Sequence, residues 1–127
     1  MKREPKENAL QRIKDANEFL SSANDNLEKG RFKVCIDNAV DAMIAANDAF
    51  TIGLIEQLAT ADHREAVRLH VEAGRKISAN QSSILKQMLD LRHQKTYRPV
   101  SVSKNLAEET LRKATKFVRW IEGQIKL

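Results

Sequence analysis

The stretch Phe32-Lys-Val-Cys-Ile-Asp-Asn-Ala-Val-Asp-Ala-Met-Ile-Ala-Ala-Asn-Asp-Ala-Phe-Thr-Ile-Gly-Leu-Ile-Glu-Gln-Leu58 is the most apolar of the chain, and its period decides the fold. Ile36, Ala39, Val40, Met43, Ala46, Ala49 and Phe50 recur at three- and four-residue spacing, which puts them on one face of a helix. Ile44, Ile52, Ile55 and Leu58 widen that face. Five alanines between Ala39 and Ala49 leave little bulk, so neighbouring helices can approach closely. Asp37, Asp41 and Asp48 fall within about 40° of one another on the wheel. They read as a solvated or ion-paired stripe, because a single stripe offers too few converging oxygens to hold a metal ion.

Working outward, the preceding segment from about Pro5 to Lys29 carries the stripe Leu10, Ile13, Ala16, Phe19/Leu20, Ala23 and Leu27. Gly30 is its natural stop. After a break at Ala59–Asp62, Asp62 and Glu65 form a capping-box variant that opens a short third helix closed by Gly74. His63 reads as a helix-start residue and His70 as half-buried. Neither has a metal-ligand spacing. Ser78 with Gln81 reads as the cap of a fourth helix, with the stripe Ile84, Leu85, Met88, Leu89 and Leu91. Ser101 or Ser103 caps a fifth, whose face is Ala107, Leu111, Ala114, Phe117/Val118, Ile121 and Ile125. The expected fold class is all-α: an up-and-down antiparallel bundle of four to five helices forming one domain over residues 1–127.

Composition agrees with that reading. The 127 residues include four glycines, two prolines and 5% aromatics, against abundant helix formers. A single cysteine, Cys35, excludes an internal disulfide and a cysteine-based zinc site. The expectation is a reducing, cytoplasmic compartment. Lys2, Arg3 and Lys6 alternate with Glu4 and Glu7 and lead into no apolar run, so no signal peptide and no membrane contact are expected. The net charge of +5 is unevenly placed. From Val34 to Asp62 there are acids and no Lys or Arg, whereas Lys86, Arg92, Lys95 and Arg98 stand against Asp90 alone. A basic stretch suits a phosphate-bearing ligand, and a solvated basic face gives the same pattern.

The stretch Met88-Leu-Asp-Leu-Arg-His-Gln-Lys-Thr-Tyr-Arg-Pro99 holds the candidate site. Arg92 projects into the middle of the apolar sector set by Ile84, Leu85, Met88 and Leu89. A guanidinium there has to be paired, wetted or facing a cavity. A snorkelling side chain or a partner on the acidic stripe would satisfy it without any ligand. Tyr97 adds a phenol where the helix must stop, and Arg98 is forced out of the α region by Pro99. There is no Gly-rich phosphate loop, no nucleophile–base signature and no Cys/His pair. His93 points about 100° away from Arg92, so the two share a site only at a helix edge or between two chains.

These features together resemble the HEPN domain, over nearly the whole chain. The resemblance rests on Arg92-His93-Gln-Lys-Thr-Tyr97 and on Phe19-Leu20-Ser-Ser-Ala23, Gly30-Arg-Phe32 and Asp37-Asn-Ala39-Val-Asp-Ala42. Asp62-His63 and Phe117-Val-Arg-Trp120-Ile121 extend it. The family's signature is an Arg, a polar neighbour and a His four to six residues after the Arg. Here Tyr97 stands in the place of that His, and Val40 and Asp41 stand where a related branch carries tyrosines. The resemblance implies a homodimer with its site built between two protomers, and no cofactor. It implies either of two activities. One is a nucleotide- or RNA-binding module, partner of a minimal nucleotidyltransferase in a toxin–antitoxin-like pair, with Arg92, Lys95, Tyr97 and Arg98 as ligand-binding residues. The other is a metal-independent endoribonuclease with Arg92, His93 and Tyr97 as catalytic residues. An ordinary phenol, with a pKa near ~10, exchanges no proton at neutrality, which sets the binding module first.

Overall fold

A computed structural model describes residues 1–96 and 98–125. Five α-helices make up most of it: α1 (Ala9–Glu28), α2 (Phe32–Ile55), α3 (His63–Gly74), α4 (Ser82–Lys95) and α5 (Lys104–Gln124). The chain is an all-α helical bundle, as its periodicity predicts. α2 is its axis, with most of its length buried from Cys35 to Gly53. The alanines do what their size permits, since Ala39, Ala42, Ala46 and Ala49 are fully buried and α1 and α5 close over them.

α1 and α4 run against α2 and α5. α2 and α5 run the same way: Cys35 Sγ lies 4.0 Å from the Ala107 carbonyl near both starts, and Ile125 packs against Gly53 near both ends. A Cβ on Gly53 would stand 3.0 Å from Ile125 Cγ2, so this contact needs a small residue. α1 opposes α5, with Asn17 bonded to Glu122 at 3.2 Å. α4 opposes α2, and α3 bridges between them. All the named core positions of α5 are buried.

Four expectations are corrected. α2 stops at Ile55 rather than Leu58, because Glu56 turns left-handed with φ 53°. Gln57–Leu58 then pairs antiparallel with Lys2–Arg3, a two-residue ladder that pins the N-terminus. Leu10 is not a core residue but stands 46% exposed, one position after Ala9, which begins the buried face of α1. Ser78 does not cap α4. It is left-handed at φ 55°, and Asn80 Oδ1 instead accepts from the Ser82 N–H at 3.0 Å. The other caps hold as read: Asp62 Oδ1 accepts from Glu65 N, and Ser103 Oγ from Leu106 N, each at 3.0 Å.

His70 is wholly buried rather than half-buried. Its Nε2 accepts the Gln81 backbone N–H at 2.8 Å, so the proton must sit on Nδ1, which donates to Asn47 Oδ1 at 2.8 Å. The ring packs among Phe50, Phe117 and Trp120. One neutral imidazole thereby ties α2, α3, α5 and the entry to α4 together. Burial holds its pKa down at about 4.

Candidate functional site

The last turns of α4 bring the sequence candidates to the N-terminal half of α2. Leu85, Met88 and Leu89 are buried, and the same stripe buries Arg92 to 9% exposure. Its Nη1 donates to Asp41 Oδ1 at 2.5 Å. Asp41 remains 36% exposed in its side chain, so the pair sits at the edge of the α2–α4 seam and not in the interior. Asp41 lies near the middle of α2 and Arg92 in the last turn of α4. An inward cation on α4 meets an inward acid on α2.

Outside this pair the surface is basic. His93 and Lys95 are exposed on α4, and Arg98 is exposed beyond it. Thr96 closes the helix through both its N–H (3.0 Å) and its hydroxyl (2.9 Å), each bonded to the Arg92 carbonyl. Lys33, on the first turn of α2, donates from Nζ to the Arg98 carbonyl at 2.8 Å and tethers the exit segment. Tyr97 lies outside the described residues. Arg92, His93, Lys95 and Arg98 thus lie at one end of the bundle, with Arg92 inside and the rest outside.

Sequence reading passed over Lys33, because its role depends on α2 starting beside the end of α4. It also gave Asp37 no particular weight. One carboxylate oxygen of Asp37, one turn before Asp41, is buried without a hydrogen-bond partner among the described residues. Such an oxygen is costly to leave unpaired.

The carboxylates do not gather into a metal site. Asp41 goes to Arg92, and Asp48 faces Arg12 at 4.0 Å. Burial raises the Asp48 pKa to about 6, against the opposing pull of Arg12. Among the described residues no group of three or more His, Cys, Asp or Glu side chains could hold a metal ion. Beside Asp41 an open groove of about 330 Å³ runs between α1 and α2, lined by Arg12, Glu18, Phe19, Ile44 and Asp48 among others. Phe19 is 36% exposed there. Among the described residues no helix is long and apolar enough to cross a membrane.

A family model described as HEPN domain matches residues 9–124. No curated protein matches the chain.

Proposed function

The chain belongs to the HEPN domain family, and from that premise we propose a nucleotide- or RNA-binding module whose site is the α4 exit. Membership carries the coarse assignment, a nucleotide- or RNA-related module. The finer reading gives Arg92, Lys95, Tyr97 and Arg98 the ligand, with a second protomer completing the cleft. It makes the protein the partner of a minimal nucleotidyltransferase in a toxin–antitoxin-like pair.

The Arg92–Asp41 pair is the observation that carries this reading. A carboxylate fixes the guanidinium's orientation before any ligand arrives, so less ordering is left for binding. Around it the exposed cations His93 (when protonated), Lys95 and Arg98 attract phosphate. The partly exposed Phe19 of the groove beside Asp41 supports a second chain covering this side.

The metal-independent endoribonuclease remains the second reading, with Arg92, His93 and Tyr97 drawn from both chains. It is favoured by one observation: an exposed imidazole follows the buried guanidinium directly, and imidazole is the side chain best suited to proton transfer at neutral pH. The test is labelled RNA incubated in EDTA with the wild type and Arg92→Ala. The binding module retains intact RNA and loses it on substitution. Cleavage in EDTA that disappears with Arg92→Ala would put the ribonuclease first.

A further inference from the structure

The other end of α4 carries a second basic cavity, whose lining does not include Arg92. It opens between the start of α4 and the second half of α5, with a volume of about 480 Å³. Its floor is apolar, formed by Ile84, Phe117 and Trp120, and its rim is cationic, formed by Arg112, Lys113 and Lys116. Gln81 lines one end.

The charges on α5 are not evenly neutralised. Lys104, Lys113 and Arg119 each have an acid one turn away, Glu108, Glu109 and Glu122. Arg112 and Lys116 have no ion pair among the described residues. They stand four residues apart, hence on one face, and both line the cavity. The remaining described cations of this helix are paired, so the unbalanced charge of α5 is concentrated at one mouth. Trp120 packs its ring on Phe50 and, more distantly, on His70, with centroids at 5.4 and 6.2 Å. It is only half-buried, and its indole N–H makes no hydrogen bond among the described residues.

An apolar floor, a cationic rim and unused donors in a space of this size match a ligand with a flat aromatic part and a compact anion. We propose that the α4–α5 cavity binds a phosphorylated nucleotide, its base on the Ile84/Phe117/Trp120 floor and its phosphate between Arg112 and Lys116. The ligand is a free nucleotide or the 5′-phosphorylated end of an RNA strand, which share that chemistry. A bare inorganic anion would leave the floor uncovered. An uncharged nucleoside would leave the two cations unanswered.

Trp120 is the only tryptophan of the chain, so its fluorescence reports this cavity alone. The experiment titrates the full chain with AMP, with adenosine, and with matched RNA oligonucleotides bearing a 5′-phosphate or a 5′-hydroxyl. AMP should shift the emission saturably and adenosine should not. Preference for the phosphorylated over the hydroxyl oligonucleotide would identify an RNA end, and response to AMP alone a free nucleotide. The double substitution Arg112→Gln/Lys116→Gln, at two exposed positions, should weaken AMP at least tenfold with melting temperature unchanged. Arg92→Met, two turns along at the other end of α4, should leave the response intact. No saturable response to AMP or to the phosphorylated oligonucleotide would overturn the proposal. So would equal response to adenosine, or dependence on Arg92 in place of Arg112 and Lys116.

Discussion

Arg92 shows how far one residue can be read before the fold is known. The wheel places it inside, and the impossibility of deprotonating it demands a partner. Which acid answers it is a matter of helix register: Asp41 is one of three candidates on its stripe, and only the packing of α4 selects it. The pair's cost of rupture follows from its position. Losing one partner of a fully buried pair costs about 3–5 kcal/mol, and an exposed pair is worth about 0–1 kcal/mol. Asp41 can still be wetted at 36% exposure, so Arg92→Met should cost about 1–2 kcal/mol in chemical denaturation. A much larger loss would mean that water cannot reach the stranded carboxylate.

His70 was the residue least legible in the sequence. Nothing local announces that a histidine in a short amphipathic helix will face Asn47 and Gln81 across the fold. Its folded pKa lies at about 4, below the ordinary 6.5, so the unfolded chain takes up the proton first. The stabilising contribution is full above about pH 6.5 and is lost as pH falls toward 4, on the order of 3 kcal/mol. Asp48 acts with the opposite sign. Its folded pKa, raised to about 6 from 3.8, favours the fold at low pH and is lost as pH rises through 6. Asp48→Asn should therefore raise stability at pH 7 and expose the His70 effect as a continuous fall in melting temperature from pH 6.5 to 4. A flat profile in that variant would refute the assignment.

At the scale of elements, helix existence and faces were readable and helix ends only in part. Asp62 and Ser103 cap as their residue types dictate, because a short side-chain acceptor needs only local geometry. Asp62→Ala should lower the melting temperature by removing the acceptor for the Glu65 N–H. The α3–α4 connection misled because long-range demands set it. Gln81 must offer its N–H to His70, and the chain crosses tightly over Gly74, where a Cβ would come within 2.5 Å of the Ala79 carbonyl oxygen. Ser78 then takes the left-handed conformation and cannot serve as a cap. Gly74→Ala should destabilise by about 2 kcal/mol or more, since the obstacle is backbone rather than a movable side chain. A wild-type melting curve would show that the crossing relaxes easily.

For the whole molecule, the bundle and the family were legible in the sequence, while a second protomer is an expectation that follows from the family resemblance. Sedimentation at tens of micromolar should find a homodimer, with the α4 exits of the two protomers facing across the two-fold axis. Any RNA held at Lys95, Arg98 and Arg92 should weaken steeply as salt rises. The decisive measurement is RNA affinity of Arg92→Met against wild type, in EDTA and at low salt, with sedimentation and melting recorded on the same samples. The account predicts at least a tenfold loss of affinity in a variant that is still folded and still dimeric. Unchanged affinity, or a loss that appears only where the variant has unfolded, would return Arg92 to a purely structural place in the α2–α4 seam.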